Sequence, residues 1–192
     1  ESMPVYHTPL TAAAEQALAR AFDAMSRASY KANGTIVISN REMTYIRRAK
    51  GVVWFSFDEL CVKAHSQMDY LAIASQYHTV LISGIPQLHA KNHVDVVRRF
   101  TWLVDVFYDQ RVKLICSAAT EPEQLVVDDR NISSASNRSK VPAAAQRAGG
   151  DASSMVSAEF GRTASRLREM QSREYFSRKH ASADNPSVLE HN

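Results

Sequence analysis

The stretch that most constrains the fold of this chain is residues 78–119, which reads as strand, helix, strand. Residues 79–82 and 112–116 are short apolar runs rich in β-branched residues, a pattern typical of strands buried on both faces. Between them, apolar side chains recur at helical spacing: Val96, Val97, Phe100, Leu103, Val104 and Phe107. The pattern predicts an α/β fold built on a right-handed, parallel βαβ crossover.

The elements before this core are predicted to be a helix and a hairpin. An alanine-rich helix should end near Arg27, and Asn33-Gly34 is a turn signal. Residues 35–39 and about 45–57 are predicted to be two strands joined around Asn40-Arg41. Asp58 follows the second strand and is predicted to cap a helix rather than to bind a metal with Glu59.

The sequence predicts four parts, some of them well ordered and some flexible. Residues 1–127 form the α/β domain, and residues 128–157 are expected to be a flexible insertion, since residues 131–157 contain no aromatic side chain and little else to bury. A helix from about Ala158 to Tyr175, within residues 158–177, should pack back on the domain. Residues 178–192 are expected to be a disordered tail.

Composition excludes several classes of function. A net charge of +3 among 192 residues is mild, and Arg138, Lys140, Arg147 and the arginines of the last helix, without interleaved aromatics, are only a weak signal for nucleic-acid binding, which ranks last. No apolar run reaches the roughly 18 residues of a membrane-spanning helix. Cys61 and Cys116 are expected to be buried, reduced thiols. His89 and His93 have the spacing of a helical metal pair, but no third ligand follows at a recognisable distance, so no metal site is predicted.

Four phrases, in order, resemble one family: GVVWFSFDELC from Gly51, DYLAIASQYHTVLISGIPQL from Asp69, RRFTWLVDVFYDQRVKLICSA from Arg98 and EFGRTASRLREMQSREY from Glu159. They are similar to the C-terminal half of the AFG-like ATPases, the P-loop ATPase family that includes bacterial ZapE and its mitochondrial relatives. The resemblance implies a P-loop NTPase type of fold. In the full-length parent it implies ATP hydrolysis with magnesium, and action on protein partners of cell division or membrane-protein quality control.

The chain lacks the motif on which that chemistry depends. A phosphate-binding loop needs the pattern G-x-x-x-x-G-K-[ST], and no such pattern occurs in the sequence. The chain also begins at Glu1 without an initiator methionine. We therefore expect a piece of a longer protein that neither binds ATP tightly nor hydrolyses it alone, and whose parent is able to form a homo-oligomer. The resemblance favours the bacterial cytoplasm, at the septum or membrane, or a mitochondrion if the source is eukaryotic.

Arginines are the remaining candidates for chemistry, because an arginine acting in trans can stabilise charge on a transferring phosphoryl group. Arg162 and Arg166 lie four residues apart, so a helix places two like charges on one face, which favours an anionic or acidic partner. The alternative is that Arg166 pairs with Glu169 on a solvated face. Arg99 and Ser117 are secondary candidates for nucleotide binding, with pairing to Asp95 as the alternative for Arg99 and simple packing as the alternative for Ser117.

Two functions stay open at this point. The chain is either the C-terminal portion of an AFG-like ATPase that couples ATP hydrolysis in the full-length protein to work on protein partners, or a non-catalytic protein-interaction module of the same fold. The absent phosphate-binding loop separates the two, because only the first hypothesis requires that a catalytic half precede Glu1.

Overall fold

The computed structural model describes residues 4–27, 29–128 and 152–184. Its strands are β1 (Tyr6–His7), β2 (Lys31–Ile38), β3 (Arg41–Ala49), β4 (Val52–Ser56), β5 (Thr79–Ile85), β6 (Leu88–His89), β7 (Lys113–Ala118) and β8 (Val126–Val127). Its α-helices are α1 (Ala12–Ser26), α2 (Gln67–Gln76), α3 (Val94–Asp109), α4 (Ala152–Glu169) and α5 (Arg173–Ser177). A π-helical turn spans Asp58–Val62, and 3-10 turns span Pro122–Gln124 and Ala181–Asp184.

A six-stranded mixed sheet forms the centre, in the order β1-β7-β5-β4-β3-β2. In that order, β1, β7, β5 and β4 pair in parallel. β3 and β2 then extend the sheet with antiparallel pairing. β6 and β8 form a separate parallel pair. The α/β fold class with a parallel βαβ core is therefore confirmed, since β5, α3 and β7 follow one another in the predicted order.

Helices cover both faces of the sheet. α1 packs on one face through Leu18 and Phe22, which are fully buried against Val52, Trp54 and Leu81. The larger core lies on the other face, beneath α2, α3 and α4. Because successive side chains of a strand point to opposite faces, neighbouring residues such as Trp54 and Phe55 serve different cores.

The prediction of a single strand over residues 45–57 is wrong. The chain turns back at Lys50-Gly51, with Gly51 at φ +73°, so the segment forms two antiparallel strands, β3 and β4. A side chain at Gly51 would be strained at this φ and would force the His78 ring to move, since a Cβ there would lie 2.5 Å from that ring. The sequence did not reveal this turn, because the apolar residues on its two sides have the same pattern as one continuous strand.

The predicted β2–β3 hairpin is present, with its loop one residue earlier than expected, and the separate turn predicted at Asn33-Gly34 is wrong. Asn33-Gly34 lies inside β2, where Asn33 has a left-handed φ of 50°, and does not precede the strand. The turn that joins β2 and β3 is Ser39-Asn40, with φ values of 50° and 61°. Two successive left-handed residues are the mark of a two-residue hairpin loop whose twist matches that of the flanking strands.

The ends of the last helix also differ from the prediction. α4 begins at Ala152 rather than near Ala158 and ends at Glu169, and α5 starts afresh after the Ser172 cap. Residues 152–157 of the predicted insertion are thus helical. Within the predicted tail, a 3-10 turn spans Ala181–Asp184, and the Ala181 N–H donates to the carbonyl of Gln110 (3.1 Å). Residues 129–151 and 185–192 lie outside the described residues, so for them flexibility stays a prediction.

None of the helices that the structure describes is both long enough and apolar enough to cross a membrane.

Candidate functional site

Three of the four phrases that carry the family resemblance meet around the π-helical turn that follows β4. Phe57, not Asp58, precedes this turn as its first flanking residue, so the predicted Asp58 cap is wrong. Glu59 is the buried acid: its Oε1 accepts from the Thr44 N–H of β3 (2.9 Å), and its Oε2 pairs with Lys63. Glu59 therefore stabilises the end of the sheet.

Arg99 binds the other end of the same turn. Its Nε donates to the carbonyl of Cys61 (2.7 Å) and its Nη2 to that of Val62 (3.3 Å), while the Tyr70 hydroxyl donates to the carbonyl of Leu60 (2.7 Å). These carbonyls end a helical turn and lack helical partners, so the cation also meets the negative end of the local dipole. Asp95 pairs with Arg98 (3.8 Å). A nucleotide contact at Arg99 stays a prediction for a longer protein.

Ser117 lies at the carboxyl end of β7, beside the end of β5, which is where ligands usually bind in parallel α/β sheets. Ser117 is fully buried, donates its hydroxyl to Glu15 Oε1 of α1 (2.9 Å) and accepts from the Gly84 N–H (2.9 Å). Gly84 takes a φ of +77° within β5, where the β5–β7 register is irregular. Ser117 thus joins three elements, and its contact with a nucleotide stays a prediction.

These residues at the ends of β5 and β7 do not fit a phosphate group of ATP. The Gly84 N–H and the Ser117 hydroxyl are already paired, and the nearest charge is the carboxylate of Glu15, which would repel a phosphate. Of the two cavities that stand out among the described residues, one beside Tyr6 and Leu167 holds about 10 Å³, room for one water. The other, about 530 Å³ beside Tyr108, is an open depression rather than an enclosed pocket.

Arg162 and Arg166 of α4 both contact one acid, Asp105 of α3. Arg166 pairs with Asp105 Oδ1 and lies over the Tyr108 ring, with its guanidinium carbon 4.9 Å from the ring centroid. Arg162 Nη2 lies 3.4 Å from Asp105 Oδ2, and its side chain is 63% exposed against 24% for Arg166. Because one carboxylate faces two guanidinium groups, the site keeps a net positive charge.

The predicted partner of Arg166 was wrong, since Glu169 lies in a different set of contacts. Glu169 accepts from the Tyr108 hydroxyl (2.7 Å) and pairs with Arg178 (3.1 Å). The Tyr108 phenol, which donates to this carboxylate, has a pKa above its ordinary value. Tyr108 therefore contacts two ion pairs, one between Arg166 and Asp105 and the other between Arg178 and Glu169.

Sequence reasoning missed Arg168, the residue that ties α4 to the segment after β7. Its guanidinium donates two bonds of 2.7 Å to Glu123, in a bidentate fork, and also pairs with Glu121 (2.9 Å). The hydrogen bonds from Arg168 lower the pKa of Glu123. The only signal in the sequence is the coincidence of two acids near Pro122 with an excess of arginines on α4, and no rule of spacing connects them.

The other reactive groups are inert in this arrangement. Cys61 and Cys116 are buried and unpaired with each other, and burial raises the pKa of both thiols. Among the described residues no three His, Cys, Asp or Glu side chains come together to hold a metal ion. His93 Nδ1 accepts from the His89 N–H (3.0 Å), which is a local turn contact.

One known protein family has a sequence model that matches this chain. The model of the AFG1-like ATPases matches residues 1–139, so it covers the sheet, the π-helical turn with Arg99, and Ser117. The chain belongs to the AFG1-like ATPase family. The family resemblance is thereby confirmed, and three of the four phrases lie within the matched residues.

Two relatives show how much of an AFG1-like protein is present. The cell division protein ZapE of Escherichia coli K12 is 32% identical over 146 residues, which cover 76% of this chain and 32% of ZapE. The lactation elevated protein 1 homolog B of Danio rerio is 32% identical over 147 residues, covering 72% of this chain and 29% of that protein. The chain thus spans about a third of the length of these relatives. No solved structure matches it.

Proposed function

We propose that this chain is the C-terminal portion of an AFG1-like ATPase, which couples ATP hydrolysis in the longer protein to action on protein partners. The family implies ATP and magnesium for the longer protein, and the similarity to ZapE, named for cell division, supports a partner in that process. The residues at the strand ends do not fit a nucleotide, so the phosphate-binding loop and the magnesium ligands belong to a preceding part of the longer protein.

Within this proposal Arg162 is the group that faces a phosphate, and Arg166 is a positioning residue. The observation that carries this assignment is the unequal attachment of the two arginines to Asp105: Arg162 is 63% exposed and only loosely held, while Arg166 is held by both Asp105 and Tyr108. An arginine that stabilises a phosphoryl group must be able to leave its own carboxylate at little cost, which an exposed pair allows.

The alternative function is a non-catalytic docking module of the same fold. It is supported by the absence of a phosphate-binding loop from the sequence and by the saturated hydrogen bonds at Ser117. Under this alternative the net positive charge around Asp105 would bind an acidic surface of a protein partner rather than a phosphate.

ATP hydrolysis separates the two proposals. We expect no turnover by this chain alone, turnover by a version extended upstream to include a phosphate-binding loop, and a loss of about 10³-fold or more in kcat on Arg162→Ala in the extended form, with KM changed far less. Arg98→Ala is the matched control, since Arg98 is also an exposed arginine with a single acid partner (3.8 Å). It should leave kcat unchanged.

Two results would contradict the proposal. Turnover by the chain alone would show that it contains a nucleotide site, and an extended form insensitive to Arg162→Ala would remove the arginine from the reaction. An extended form with no turnover at all would favour the docking module. Circular dichroism of each variant distinguishes loss of chemistry from loss of fold.

A further inference from the structure

The sheet ends on one side at β2, an eight-residue strand that pairs only with β3 among the described residues. Edge strands of this length present a row of backbone N–H and C=O groups that can pair with another chain. Natural proteins block such edges with charged side chains, proline or a covering element. Between Lys31 and Arg41 the sequence ANGTIVISN carries no charge and no proline.

The hairpin geometry shows which backbone groups point outward. In a two-residue loop the flanking residues, here Ile38 and Arg41, form a hydrogen-bonded pair, and such pairs alternate with non-bonded ones along the ladder. Val37 with Glu42, and Thr35 with Thr44, are therefore non-bonded pairs. The backbone groups of Val37 and Thr35 point away from β3.

An independent contact confirms this phase. The Thr44 N–H donates to Glu59 on the far side of β3 (2.9 Å), so Thr44 does not bond across to Thr35. Thr35 and Val37 consequently direct their N–H and C=O groups outward. The Val37 side chain is 70% exposed, while Ile36 and Ile38 are buried at 7% and 1%.

We propose that β2 is a self-association edge, which pairs antiparallel with β2 of a second copy of this chain about a two-fold axis at Ile36. In that register Thr35 of one copy faces Val37 of the other, twice. Each of these two pairs can exchange both of its outward N–H···O bonds, so the edge is complementary to itself.

The second copy is the occupant that this edge fits best. Within residues 32–40 the uncharged segment faces an identical uncharged segment, so no like charges oppose each other along that length. The two Ile36 side chains come together on the buried face, which continues the core of one sheet into the next, and the exposed Val37 gains a neighbour. A two-fold interface closes at a dimer, and this assembly is independent of any ATP site.

Sedimentation velocity over a concentration series tests the proposal on the chain itself. We expect a reversible monomer–dimer equilibrium, and at least a tenfold rise in the dimer dissociation constant for both Val37→Lys and Val37→Pro. Lysine adds like charges near the axis, and proline removes an N–H that makes no bond within the sheet, so neither should unfold the monomer. Met155→Lys is the control, because Met155 is 61% exposed on α4, which packs against α3 and not against β2.

Disulfide trapping tests the register without relying on those variants. Cys61 and Cys116 are buried, so an added surface cysteine is the reactive thiol. Thr35→Cys mixed with Val37→Cys should give a cross-linked heterodimer in excess over either homodimer, because a hydrogen-bonded antiparallel pair brings its Cα atoms to about 5.5 Å. A wild-type chain that stays monomeric at millimolar concentration, an equal effect of Met155→Lys, or no preference in cross-linking would each overturn the proposal.

Discussion

At the scale of one residue, Glu59 belongs to an Asp-Glu pair that resembles a catalytic motif, but its carboxylate stabilises the fold. β4 is shorter than β3, so the Thr44 N–H of β3 has no strand partner beyond the end of β4. The Glu59 carboxylate supplies the missing acceptor (2.9 Å) and is itself 5% exposed. An unpaired N–H at this buried position would be costly, which gives a physical reason for an acid here.

The first prediction concerns this carboxylate. Glu59→Ala should lower the free energy of unfolding by about 1–3 kcal/mol, because it leaves a backbone donor without an acceptor. Urea denaturation followed by tryptophan fluorescence measures the change. Asp58→Ala is the control, since Asp58 is exposed and should cost less than about 0.5 kcal/mol. Equal losses in the two variants would mean that Glu59 contributes only as a surface charge.

At the scale of elements, α4 is held on α3 by two different kinds of contact. Phe160 stacks on Phe100 with ring centroids 6.2 Å apart, as part of the apolar stripe that helical periodicity predicts. Asp105, Tyr108 and Arg166 form a polar contact beside it. The apolar contact supplies most of the burial, and the polar one sets which face of α4 lies toward α3.

The second prediction separates the two arginines of this contact by stability. Arg166→Ala should destabilise the chain by about 1–2 kcal/mol, since it removes a partly buried ion pair and a cation–π contact together. Arg162→Ala should change the stability by less than about 0.5 kcal/mol, as is usual for an exposed pair. Urea denaturation of both variants, of Asp105→Asn and of each arginine variant combined with Asp105→Asn gives the two coupling energies. A larger loss for Arg162 than for Arg166 would reverse the roles assigned to them.

At the scale of the whole molecule, burial governs how stability should depend on pH. Burial lowers the pKa of His78 and His180 from their ordinary value of 6.5, and it raises the pKa of Tyr70 and Tyr175 above their ordinary value of 10.0. The folded state therefore holds these groups neutral under conditions in which the unfolded chain would charge them.

The third prediction follows from the sign of these shifts. Below pH 6.5 the unfolded chain takes up protons that the folded His78 and His180 refuse, so the free energy of unfolding should fall as the pH falls. Above pH 10.0 the unfolded tyrosines lose protons that the folded ones keep, so stability should also fall as the pH rises. Denaturation at several pH values measures both slopes. His78→Gln should flatten the acid slope and leave the alkaline one; an unchanged acid slope would contradict the assignment.

The sequence could predict those parts of the fold in which one element's own pattern decides its state. The β5–α3–β7 unit was predictable because both strands are apolar throughout and the helix between them has a clear apolar stripe. The turn at Lys50-Gly51 was not, because Ala49 and Val52 continue an apolar pattern across it. The start of α4 was missed for the opposite reason, since its first three residues, Ala152, Ser153 and Ser154, are small and two of them are polar.

The candidate site was less predictable than the fold. The sequence by itself determined which side chains were available: arginines at 162, 166 and 168 on one helix, acids at 121 and 123, and no phosphate-binding loop. Only the tertiary structure decided that Asp105 lies between Arg162 and Arg166, that Arg168 binds Glu123, and that Glu15 meets Ser117. The physical reason is range. Helical and strand periodicities are set by neighbours within a few residues, whereas an ion pair between distant residues depends on how whole elements pack.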